Sequence, residues 1–114
     1  MQYLLMICGD ETAEEHQYDG CDGCDGWGED LERRGKIRGG GGLRPPSEAT
    51  TIRVRDGEVL LTDGPFTEAK EQVGGYVVID CDDLDEALEI AAKHPAATYG
   101  SIEVRPIRSP EEFA

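Results

Sequence analysis

An aspartate at the end of an apolar stripe is the residue of this sequence best placed to do chemistry. Residues 51–62 read TIRVR-DG-EVLLT, two alternating stretches around Asp56-Gly57, a pair favoured in two-residue type I′ hairpin turns. That turn fixes the register: Arg55 faces Glu58, Val54 faces Val59, Ile52 faces Leu61 and Thr50 faces Asp63. Opposed side chains share a sheet face, so Ile52, Val54, Val59 and Leu61 form one stripe and Asp63 lies with them. Desolvation disfavours the charged form of a carboxylate so placed, which suits general acid–base work. An Asp before Gly64-Pro65 equally suits a structural role, accepting backbone N–H groups to hold the turn, and the two roles are compatible. Asp63 is therefore the candidate catalytic and ligand-binding residue. Phe66, Glu68, Lys70 and Glu71 follow closely. Glu68 and Lys70 can line the same cleft, with Lys70 neutralising Asp63 or an anionic ligand, or form local ion pairs in a solvated turn. Phe66 reads as a ligand-stacking ring or as a plug in the core or an interface.

Three other groups have the right residue types. Cys21-Asp-Gly-Cys24 with His16 offers three metal ligands or a redox pair. No second CxxC or spaced His pair completes a tetrahedral set, and positions three apart on a helix also share a buried face. No metal and no cofactor is expected. His94, just before Pro95 at a helix end, reads as an imidazolium favourable to the helix dipole. The Gly39–Gly42 run lacks the Lys-Ser/Thr and following helix of a phosphate loop, and reads as a flexible loop bordering the cleft.

These groups need elements to position them. The run QYLLMIC, residues 2–8, reads as a central strand covered on both faces. Tyr18, Cys21, Cys24, Trp27 and Leu31 recur at helical spacing, weakened by Gly20, Gly23, Gly26 and Gly28, so the helix is firmest from Trp27 to Arg34. Gly35 follows as its left-handed C-terminal residue. A strand starts at Lys36 and dissolves in the glycine run, and residues 43–50, with Pro45-Pro46, read as a loop. After the hairpin, residues 64–75 read as a connection and YVVIDC, residues 76–81, as a strand. Asp82 or Asp83 caps a helix with Leu84, Ala87, Leu88 and Ala91 inward, ended by Pro95. Ser101 to Arg105 alternate as a last strand, with Ile102 and Val104 inward. The order β-α-β, hairpin, β-α-β predicts an α+β sandwich with helices on one face of a mostly antiparallel sheet.

At 114 residues the chain fits one domain, with 1–108 the folded unit and 109–114 a polar tail. A core of that size gains from pairing with a second copy. Asp and Glu number 25 against 11 Lys and Arg, a net charge of −14. That excludes broad contact with nucleic-acid phosphates and docking on anionic membranes. The longest apolar run, Tyr3 to Cys8, is too short to span a bilayer and lacks the flanks of a signal peptide, so a cytoplasmic location is expected. Cys8 and Cys81 end apolar strand patterns and read as small core thiols.

The start MQYLLMICGDE, the stretch TIRVRDGEVLLTDGPFTEAKEQVGGYVVID, the helix DLDEALEIAAKHPAA and the ending GSIEVRP resemble the DGPF branch of the YCII-related superfamily. Asp63-Gly64-Pro65-Phe66, then Lys70-Glu71 and Gly74-Gly75-Tyr76, recur there in order and spacing. The resemblance implies a ferredoxin-like β-α-β-β-α-β fold and a homodimer whose sheets pack face to face as a dimeric α/β barrel, with a cleft in each protomer. It further implies one of three roles: a module binding a small ligand or regulatory partner beside Asp63; a small enzyme using Asp63 in acid–base or elimination chemistry on a small oxygenated ring; or an accessory of an extracytoplasmic-function sigma factor. Enzyme-like relatives carry a first-helix histidine where this chain has Cys24 or Trp27. Replacing Asp63 discriminates these roles: Asp63→Asn abolishes ligand binding in a folded protein if the carboxylate is functional. A lower melting temperature with binding intact marks a structural residue instead.

Overall fold

The computed structural model describes residues 1–10, 26–64 and 71–113. The opening apolar run forms β1 (Gln2–Asp10), paired on one edge with β5 (Glu71–Asp80) and on the other with β6 (Ser101–Pro106). β2 (Ile37–Gly42) adds to the far side of β5, giving a four-stranded sheet in the order β2-β5-β1-β6 with every neighbour antiparallel. Two β-α-β units, β1-α1-β2 and β5-α2-β6, interleave in this order, which is the ferredoxin-like α+β sandwich. The helices are α1 (Trp27–Arg33), α2 (Leu84–Ala92) and the single turn α3 (Ala96–Tyr99). Between β2 and β5 the chain makes a separate hairpin, β3 (Thr50–Arg55) and β4 (Glu58–Asp63).

One face of the sheet is dry. Tyr3, Leu5, Val77 and Ile79 share it, and they pack against Trp27 and Leu31 of α1 and Ala87, Ile90 and Ala91 of α2. The opposite face carries Leu4, Met6 and Val78, each half-buried.

Local signals account for the helix ends. Asp83 caps α2 by accepting the Glu86 N–H at 2.9 Å, while the Glu86 carboxylate accepts the Asp82 N–H at 2.8 Å. At the end of α1, Gly35 adopts φ +68°. Its N–H donates to the Glu32 carbonyl at 3.0 Å and the next N–H, of Lys36, to the Leu31 carbonyl at 2.9 Å. This pair of bonds is the Schellman closure, which a residue with a Cβ makes only under strain. The helix expected from the Trp27 and Leu31 spacing is present with both residues buried; its proposed earlier turns, with Tyr18, Cys21 and Cys24, lie outside the described residues.

Three expectations are corrected. The Gly39–Gly42 run is an edge strand rather than a loop, held by backbone pairing to β5, for which no side chain is needed. β5 begins at Glu71, so Gly74-Gly75 belong to a strand rather than a connection. In α2 the inward residues are Ala87, Ile90 and Ala91, whereas Leu84 and Leu88 are 46% and 47% exposed. The helix is rotated so that Ile90, 4% exposed, fills the core. Urea unfolding tests this rotation: Ile90→Ala costs about 2–5 kcal/mol, and Leu88→Ala costs about 1 kcal/mol or less.

Candidate functional site

The hairpin has the register its sequence dictates, with Thr50 opposite Asp63, Ile52 opposite Leu61 and Val54 opposite Val59. Asp56 and Gly57 both take positive φ, +51° and +79°, as a type I′ turn requires. Its open end is tied by the Gly64 N–H, which donates to the Ala49 carbonyl at 2.7 Å, and by the Thr51 hydroxyl, which donates to the Gly64 carbonyl at 2.8 Å. Asp63 stands at this end on the face of the apolar stripe, exposed to solvent. Among the described residues its carboxylate has no hydrogen-bond or ion-pair partner. Phe66, Glu68 and Lys70 lie outside the described residues, as do His16, Cys21 and Cys24.

A cavity of about 430 Å³ opens elsewhere, on the helix-covered side of the sheet near the glycine end of β2. Its floor is made where side chains are missing. Gly40 faces Val77, and Gly42 faces Gly75, which in turn faces Ile7 across the next ladder. A Cβ on Gly40 would fall 2.7 Å from the Tyr76 carbonyl oxygen, too close for a side chain without a backbone shift, and one on Gly75 would stand 3.3 Å from that of Gly41, a tight contact that β2 would have to ease. Ile7, Ile37 and Val77 wall the space, Trp27 and His94 line it from the helix side, and the exposed carboxylate of Glu32 adds an acidic group. Asp63 lines neither this cavity nor the 350 Å³ groove between α1 and α2.

Trp27 and His94 hold the site together. The Trp27 Nε1–H donates to the Ile90 carbonyl at 2.8 Å in a buried bond, locking α1 to α2. The two rings meet edge to face, 4.7 Å between centroids at 82°. His94 is 6% exposed and its Nδ1 accepts the Ala96 N–H at 3.0 Å. That acceptor role belongs to a neutral imidazole with its proton on Nε2, and burial pushes the His94 pKa down. The expected imidazolium at a helix end is therefore corrected: α2 stops at Ala92, and His94 turns inward beneath Trp27.

Two ion pairs lie outside this cavity. Lys36 pairs with Glu86 at 3.1 Å, joining the start of β2 to α2; its hydrogen bond to Glu86 raises the Lys36 pKa, while the Asp82 N–H and Lys36 lower that of Glu86. Arg105 and Glu103 pair at 2.6 Å along β6, on the surface. The buried Cys81 thiol is pushed up by desolvation, which makes it a packing residue and a poor nucleophile. Among the described residues no group of His, Cys, Asp and Glu is arranged to hold a metal ion, and no helix is long and apolar enough to cross a membrane.

A family model described as the YCII-related domain matches residues 1–111. The chain belongs to the YCII-related family. An uncharacterized protein of Rhizobium meliloti (strain 1021) is 48% identical over 67 residues, which is 57% of this chain and 54% of that one. The chain thus spans about half the length of this curated relative. Among solved structures, a 5-chloro-2-hydroxyhydroquinone dehydrochlorinase from Burkholderia phenoliruptrix AC1100, in complex with 2,5-dihydroxybenzoquinone, is similar over 98% of both chains. Its TM-score is 0.57 at 16% identity, a likeness of fold.

The buried imidazole makes stability depend on pH. The unfolded chain binds a proton on His94 near the ordinary value of 6.5, and the folded chain resists it. Stability contributed by the neutral ring is present above that value and falls as pH drops through it, levelling off at the depressed folded value. Urea titrations across this window should give a steeper loss for the native protein than for His94→Gln, with the two slopes equal above pH 7.

Proposed function

We propose that this YCII-related protein binds a small, flat, oxygenated ring compound in the cavity floored by Gly40, Gly42 and Gly75. The observation that carries this is the cavity itself: about 430 Å³ of space, with paired glycines removing side chains from two neighbouring strands beneath an indole and an imidazole. Small-molecule pockets span about 300–1,000 Å³ and combine apolar walls with few polar groups. Here the walls are aliphatic and aromatic, and the polar groups are strand backbone, the His94 ring and Glu32. The structurally similar dehydrochlorinase supports a ring compound as the ligand class, since its complex holds a dihydroxybenzoquinone.

The same similarity favours a second reading, elimination chemistry on a small oxygenated ring with Asp63 as acid or base. Because Asp63 does not line its own chain's cavity, this reading needs the hairpin of another chain to bring the carboxylate to the ligand.

Trp27 is the sole tryptophan, so its emission reports on the cavity directly. Titration with 2,5-dihydroxybenzoquinone, corrected for absorbance, gives saturable quenching and a higher melting temperature. Ile7→Phe, which places a ring in the space, removes both while preserving the far-ultraviolet circular dichroism. Linear, non-saturating quenching with an unchanged melting temperature would refute ligand binding at this site.

A further inference from the structure

The cavity above the glycine floor holds a carboxylate whose charge is left unanswered. Glu32, in the last turn of α1, lines it. Cations crowd the sequence just after Glu32, yet each of them is engaged with another acid. Arg33 and Arg34 both bond to Asp30, each at 3.2 Å. Lys36 pairs with Glu86 at 3.1 Å, and Arg38 with Asp80 at 3.3 Å. Among the described residues the Glu32 side chain has no ion pair or hydrogen bond, and no Lys or Arg lines the cavity.

The other titratable side chains on the cavity wall are Tyr76 of β5 and His94. His94 brings no positive charge, because its Nδ1 accepts the Ala96 N–H at 3.0 Å, which an imidazolium cannot do. Aliphatic side chains, the indole and glycine backbone make most of the remaining wall. An anion entering this space gives up water, meets no countercharge and stands near a like charge. A ring that bears an O–H meets the opposite situation. A carboxylate is the stronger kind of acceptor, since its charge assists the hydrogen bond.

We infer that Glu32 makes the cavity selective for the un-ionised, hydroxyl-bearing form of its ring ligand, accepting the O–H and repelling the corresponding phenolate. This rests on the cavity being the ligand site, and adds which protonation state of the ligand is taken. Of two rings of one shape, the cavity holds the one that keeps its proton. Rings with strongly acidic hydroxyls are released as the pH rises through their own ionisation. The net charge of −14 on the chain acts in the same direction at longer range. Lys70 directly precedes β5 in the sequence and lies outside the described residues, so it enters the test as a variant.

Isothermal titration calorimetry of the full chain with 4-nitrophenol tests the selection, since this ring loses its hydroxyl proton near neutrality without changing shape. Between about pH 6 and 8.5 the affinity is level while the ring is un-ionised, then falls toward tenfold per pH unit. Phenol keeps its proton over this range and binds with one affinity, so the fall belongs to the ligand. Ile7→Phe abolishes binding of both rings, which places them in the cavity. Glu32→Gln narrows the preference for the neutral ring by about tenfold with circular dichroism unchanged. An affinity that stays level or rises as 4-nitrophenol ionises overturns the inference, and loss of that anion binding in Lys70→Met identifies the countercharge responsible. A preference unaltered in Glu32→Gln overturns the assignment to Glu32. Saturable quenching by dihydroxybenzoquinone with no binding of 4-nitrophenol at any pH overturns the selection but keeps the cavity as a ligand site. Failure of both probes removes the site itself.

Discussion

The hydrogen bond from the Trp27 indole to the Ile90 carbonyl sets the geometry on which most of the molecule depends. α1 is short, and an isolated helix of its length does not persist in water. What fixes it is burial of Trp27 and Leu31 together with this bond, which reaches across to the last turn of α2. The indole then serves as a ceiling for the space above the paired glycines and as the surface against which His94 is turned inward. A donor buried at this depth needs an acceptor. The Ile90 carbonyl also accepts the Lys93 N–H at 3.2 Å, so the indole takes up its second lone pair. Helix packing, the neutral imidazole and the cavity are thus one arrangement.

Much of this was legible in the residues, for identifiable reasons. The Asp56-Gly57 turn states its own register, because so few dipeptides accept positive φ at both central positions. Asp83 and Gly35 announce helix ends by equally local chemistry, a side-chain acceptor in one case and a left-handed backbone in the other. The interleaved order of strands and helices follows once those ends are placed.

The cavity was hidden because its defining feature is the absence of side chains. A strand is recognised by alternation, and Gly39 to Gly42 have nothing to alternate. Gly74-Gly75 look like a turn for the same reason, and only the pairing of Gly42 with Gly75 shows that the gaps coincide. His94 was misplaced by a different route. Its position beside Pro95 fits a helix terminus, but the chain turns at Lys93 and folds the ring under Trp27, a long-range contact that sequence spacing does not encode. In α2, Leu84 and Leu88 match the helical repeat as well as Ile90 does, and tertiary packing decides between them.

The place where the hairpin enters the fold has an evolutionary consequence. β2 and β5 are antiparallel neighbours, a pair that a tight turn alone can join. The excursion through β3 and β4 therefore leaves from and returns to adjacent points, and the order of the sheet does not depend on its length or composition. Selection can lengthen, trim or recolour this arm while the strands behind it keep their pairing. The same scaffold can in this way acquire new associations without having to fold anew.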